Sequence, residues 1–262
     1  MSNATYIHGT DPAEQVRLSK LGELTDEAFL RFLEYKPDSC VLDVGSGLGN
    51  LARKLAERIP HGEVWGVERS TQQISNAARE LLNLHFQRAD AHCLPLEDSR
   101  FDVAYCRYLL EHVANPLAVL REMRRVLKPG GQVFVQENNI LVNVLDPACP
   151  HFEWLWQRFA ELQKLLGGDA TIGKKLLPLL AEAGFQNIQL SIQPEVHHAG
   201  TTTYLVWIEN LIGNIRSGES ELLKRGLATE EQIQLGIEEL RQLMSNSSGS
   251  AFFYWNRARG MK

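Results

Sequence analysis

Residues 41–50 read VLDVGSGLGN, an apolar run broken by Asp43, then glycines at 45, 47 and 49 before the helical pattern of NLARKLAERI. A run of this kind fits a covered strand, and closely spaced glycines let it turn sharply into a helix while leaving backbone amides exposed. Such turns at the C-terminal edge of a sheet are where open α/β folds hold ligands. Tight turns also use glycine for backbone geometry alone, so the surroundings decide between the two.

Outward from this turn, CVLDV, EVWGV, LHFQRA, FDVAYCR and GQVFVQE alternate with NLARKLAERI, TQQISNAARELL and PLAVLREMRRVL. Strand runs that are apolar on both parities and alternate with helices predict a doubly wound, mostly parallel α/β sheet. An N-terminal helical cap segment is expected over 1–36, holding two short amphipathic helices, the second capped by Thr25. The remainder, 37–262, reads as the main domain, with helical insertions at about 142–170 and 200–247 that interrupt the α/β rhythm. Trp154, Trp156, Phe159, Tyr204 and Trp207 in these insertions either line an apolar pocket or pack as core, since helical spacing serves both.

The net charge of −5 gives no general attraction for nucleic acid, and no window is apolar enough for a membrane span. Four cysteines without C-x-x-C spacing, and an N-terminus without a signal pattern, lead to the expectation of a soluble, cytoplasmic protein.

The second strand ends at Glu68, about 20 residues after the turn, where a carboxylate can accept from both hydroxyls of a ribose. An adenosine-containing ligand follows. A dinucleotide fingerprint would need a third glycine at position 50, which is Asn50, and no G-K-[ST] follows to hold a triphosphate. A nicotinamide dehydrogenase is opposed by that spacing and by the lack of a Tyr-x-x-x-Lys pair.

With these residues in view, LDVGSGLG resembles the first motif of the class I S-adenosylmethionine-dependent methyltransferases. RADAHCLPLEDSRFDVAYCRYLLEHVANP and REMRRVLKPGGQVFVQE resemble its later motifs in order and spacing, so the likeness runs from Cys40 to Glu137. It is closest to the small-molecule type of methyltransferase domain families 11 and 25. The resemblance implies a seven-stranded, Rossmann-like methyltransferase sheet with helical cap insertions, S-adenosylmethionine as cofactor and S-adenosylhomocysteine as product. It places Gly45, Ser46, Gly47 and Gly49 against the methionyl part, Glu68 with Arg69 at the ribose, and Gln73 nearby. Asp90 and Ala91 would meet the adenine, and the Arg107 backbone the cofactor's amino group. Asp90 serves equally as a turn cap, and Gln73 as a solvated helix residue. Tyr6, His8, Gln15 and Arg17 fall where small-molecule members fold a segment over the cofactor, or where they only pack the first helix.

Methyl transfer from a sulfonium needs no enzymic nucleophile, only a held and water-free acceptor, helped by a proton acceptor where the substrate is a hydroxyl or amine. His112, Tyr6 and His8 are candidates at the acceptor, with His151 nearby; His197 and His198 are expected at solvent. Asp43 is expected to organise the glycine-loop amides. No metal is expected, since Glu97, Asp98 and Glu137 to Asn139 give no octahedral set. The function expected is transfer of methyl to an O, N or C atom of a small-molecule acceptor by a monomer or homodimer, without nucleic acid or membrane partners. The alternative is a cofactor-binding subunit that does not turn over.

Overall fold

In the computed structural model, which describes residues 12–76 and 81–262, the glycine-ended run is strand β1 (Cys40–Val44), with Val41, Leu42 and Val44 buried. It is preceded by helix α1 (Pro12–Leu30) and followed by α2 (Asn50–Ala56), β2 (Glu63–Glu68), α3 (Thr71–Asn76), β3 (Leu84–Arg88) and β4 (Phe101–Arg107). Next come α4 (Pro116–Val126), started by Pro116 and by Asn115, whose Oδ1 accepts from the Ala118 N–H at 3.1 Å, and β5 (Leu127–Glu137).

From there the elements are the short strand β6 (Val144–Asp146), α5 (Pro150–Leu165), α6 (Leu176–Glu182), β7 (Gln186–His198), α7 (Thr202–Lys224), α8 (Glu230–Ser245) and β8 (Ser250–Met261). Neighbouring strands run β3-β2-β1-β4-β5-β8-β6, with β7 also on β8. The contacts from β3 through β5 are parallel; those of β8 are antiparallel. The sheet is thus mostly parallel and carries one strand more than the expected seven. Along one edge of β8, β5 pairs Asn256–Met261 and leaves the first residues uncovered; Val144–Asp146 fills that space against Ser250–Phe252.

Two apolar layers cover the sheet. One is built on Leu42, Val44, Met123 and Leu180, the other on Phe29, Val41, Leu55 and Phe134. A third cluster joins α5, α7 and α8 to β8 through Phe152, Phe159, Ile208, Ile237 and Trp255, with Leu21 of α1 at its edge. These helices close over the C-terminal edge of the sheet.

The N-terminal helices differ from expectation. Thr25 does not start a second helix, because its Oγ1 donates to the Leu21 carbonyl one turn back at 2.9 Å and α1 runs through it. Among the described residues, no helix is long and apolar enough to cross a membrane.

Candidate ligand site

Gly45, Gly47 and Gly49 all have positive φ, at +79°, +55° and +74°. The Gly45 and Ser46 amides donate to the Val67 carbonyl at 2.8 and 3.0 Å, which folds the loop onto the end of β2. At Gly47 an added Cβ would meet only Gln73 Oε1, at 3.9 Å, so this side of the loop is open. At Gly49 it would collide with the Phe86 ring. Gly45 and Gly47 therefore line a cavity, whereas Gly49 serves packing and Ser46 does not reach the lining.

Glu68 spans the mouth of this loop. Its Oε2 accepts from the Gly47 N–H at 3.2 Å and its Oε1 from the Ser70 N–H at 2.8 Å. Each carboxylate oxygen keeps a further lone pair for a ligand. Asp90 accepts from the backbone N–H of His92 at 2.9 Å and from its ring at 2.7 Å, and the backbone bond holds its carboxyl below the usual range. Arg69, Gln73, Asp90, Ala91, His92 and Arg107 line the same half of the cavity. The Arg107 guanidinium turns to α1, donating to Asp26 at 2.6 Å and Thr25 at 3.3 Å.

Asp43 does not organise the loop: the Gly45 and Ser46 amides go to the Val67 carbonyl, that of Gly47 to Glu68 and that of Gly49 to the Ser46 carbonyl. Burial instead pushes its carboxyl up to about 7, against the opposing influence of Tyr105 and Arg107.

The cavity, of about 540 Å³, continues under the cap helices. There α5 presents Trp156, Phe159 and Gln163, α7 presents Trp207, Asn210 and Asn214, and β8 presents Phe253 and Trp255. Trp156 and Phe159 stack with centroids 5.3 Å apart and planes 8° apart. Both alternatives for the aromatic residues are realised at once: Trp156, Phe159 and Trp207 are core and wall together. Trp154 is exposed, and Tyr204 is spent in the core, its hydroxyl donating to the Leu243 carbonyl at 2.8 Å.

Of the histidines, His112 lines the cavity, its Nε2 3.7 Å from Glu111, and burial holds it below its usual range. His151 and His198 are exposed. His197 contradicts expectation: it is 4% exposed, stacks on Trp207 at 4.8 Å, and is pushed down to about 4 by burial. The parity of β7 turns Glu195 and His197 inward beneath α7 while their neighbours face out. Arg17 lines the cavity and donates to Asn210 at 2.5 Å; Gln15 does not line it. Tyr6 and His8 lie outside the described residues.

Sequence reasoning missed several lining residues. Tyr108, straight after β4, holds φ +57°, a conformation unfavourable for a bulky residue and characteristic of functional sites. Glu111, beside the named His112, accepts from Asn138 Nδ2 at 2.6 Å and Gln163 Nε2 at 3.2 Å. Glu137, considered only as a metal ligand, is not itself in the lining but takes the backbone amides of Leu109, Leu110 and Glu111. No group of three or more His, Cys, Asp or Glu is placed to hold a metal ion among the described residues.

Comparison with known proteins adds to this geometry. Residues 41–131 match a family model described as a methyltransferase domain. An uncharacterized methyltransferase of Schizosaccharomyces pombe is 27% identical over 231 residues, 81% of this chain and 80% of that protein. The ubiquinone/menaquinone biosynthesis C-methyltransferase UbiE of Chromobacterium violaceum is 34% identical over 136 residues, 50% of this chain and 54% of the relative. The chain spans about half the length of several curated relatives that it matches. Among solved structures, phosphoethanolamine N-methyltransferase 2 of Haemonchus contortus, in complex with phosphomonomethylethanolamine and S-adenosylhomocysteine, shares the fold at a TM-score of 0.56 and 18% identity. That match covers 95% of this chain and 53% of the other.

Proposed function

We propose, for a chain that belongs to the class I S-adenosylmethionine-dependent methyltransferases, that it transfers a methyl group to an O, N or C atom of a small organic acceptor held under the cap helices. The observation that carries this is the continuity of one cavity, from the glycine loop with Glu68 and Asp90 to the chamber of Trp156, Phe159, Trp207 and Trp255.

The residues present fit the cofactor. The open side of Gly47 admits the chain of a ligand to the backbone, the spare lone pairs of Glu68 suit ribose hydroxyls, and Asp90 with Ala91 suits an adenine edge. When bound, S-adenosylmethionine supplies an electrophilic methyl group on a sulfonium. The protein's share is to hold and to dry. The aromatic walls orient the acceptor and exclude water, and the fixed amides of Asn138, Gln163 and Asn210 set its polar contacts without reorganising.

Incubating the protein with isotope-labelled S-adenosylmethionine and a metabolite extract, followed by mass measurement, tests this. A labelled methyl group on a small molecule is the expected result; bound cofactor with no labelled product from any extract contradicts turnover.

A further inference from the structure

Glu111 and Glu137 are neighbouring buried carboxylates, 3% and 0% exposed, and no lysine or arginine bonds either one among the described residues. Buried anions are ordinarily paired with a cation or fully hydrogen-bonded. Glu137 is answered by three backbone N–H groups and does not reach the cavity. Glu111 lines the cavity and is answered by the neutral amides of Asn138 and Gln163, with His112 Nε2 at 3.7 Å. Arg17, in the same lining, donates to Asn210, and its charge also acts on His112. One carboxyl group therefore faces the cavity with a second acid behind it.

The walls beside Glu111 suit what would balance it. Gln163 lies one turn beyond Phe159 and two beyond Trp156 on α5, so the helix face that brings an amide to Glu111 also brings the stacked aromatic pair. Aromatic faces next to a desolvated carboxylate favour an ammonium group over neutral or anionic ones. Independently, the Trp207 indole N–H and both polar atoms of the Asn143 side chain are buried without a partner among the described residues, and both residues line the cavity. Trp207 is 2% exposed, and a buried N–H left unpaired is costly unless a ligand atom accepts from it.

We propose that the cap half of the cavity takes a small organic amine, its ammonium held by Glu111 against Phe159 and Trp156, with an oxygen or ring nitrogen of its body accepting from Trp207. Burial and the neighbouring Glu111 both raise the proton affinity of Glu137, as expected of an acid pair that awaits a cation. This assignment names the acceptor class for the site described above and rests on the cofactor occupying the other half.

Calorimetry on the full chain saturated with S-adenosylhomocysteine tests it with three probes of one shape: tyramine, neutral tyrosol and anionic 3-(4-hydroxyphenyl)propionate. Tyramine should bind about tenfold tighter than tyrosol, and the propionate weakest. Glu111→Gln should bring tyramine to within about threefold of tyrosol. Tyramine binding no tighter than tyrosol in the wild type, absence of binding included, overturns the proposal, as does an advantage that survives Glu111→Gln. The wild-type ratio does not depend on how the variant folds. Should S-adenosylhomocysteine itself fail to bind, the cofactor reading falls instead, and the same ratio measured without it decides the amine site.

Discussion

Burial against Trp207 pushes His197 down to about 4 from an ordinary 6.5, so the folded chain keeps this ring neutral where an unfolded one would charge it. Between those two values the unfolded state takes up a proton that the folded state refuses, and stability falls as pH falls through that window. Full protonation below pH 4 costs roughly 3 kcal/mol. Replacing the ring with one that stacks but does not titrate, His197→Phe, should leave stability at pH 7.5 close to wild type and make the variant the more stable protein at pH 4.5. Urea denaturation at the two pH values measures the difference; parallel losses in both proteins would mean that His197 is charged in the fold. The inward side of such a residue was not legible in QPEVHHAG, because two adjacent histidines point to opposite faces of a strand and nothing local says which face is covered. Glu111 was hidden differently, as an acid in a helical turn that reads as solvated until Asn138 and Gln163 are seen to close on it.

The Asp26 carboxylate ties helix α1 to the sheet and to α2. Asp26, whose side chain is 2% exposed, bonds Arg107 at the end of β4 at 2.6 Å and Lys54 in α2 at 2.9 Å. Asp26→Asn would leave Arg107, whose side chain is 13% exposed, without this counter-charge, and a loss of roughly 3 kcal/mol is expected. A loss below about 1 kcal/mol in urea denaturation would show that Thr25 and the stacking of Arg107 on Phe29 suffice. The strands and helices from Cys40 to Glu137 were legible because period, glycine punctuation and strand length agree there. The continuity of α1 was not: a threonine reads equally as an N-cap and as a helix residue that returns its proton to the carbonyl one turn back. Nor was β6, three residues whose strand form depends on the free edge of a longer β8.

At the scale of the molecule, the ends of the sheet strands line one half of the cavity and the cap elements the other, so its wall joins residues far apart in sequence. The glycine loop and Glu68 marked the first half from sequence because their spacing is set by the backbone of a strand-to-helix turn. The second half comes from single residues on α5, α7 and β8, where the spacing that lines a pocket is the same spacing that fills a core. The claim joining them is that an adenosyl-sulfonium cofactor sits on the loop with its ribose at Glu68. Calorimetry with S-adenosylhomocysteine and NAD, on wild type and Glu68→Ala, tests it most directly. S-adenosylhomocysteine should bind, NAD should not, and the substitution should weaken binding by about 1 to 3 kcal/mol; NAD binding in its place, or an affinity unmoved by Glu68→Ala, would remove the cofactor from this loop.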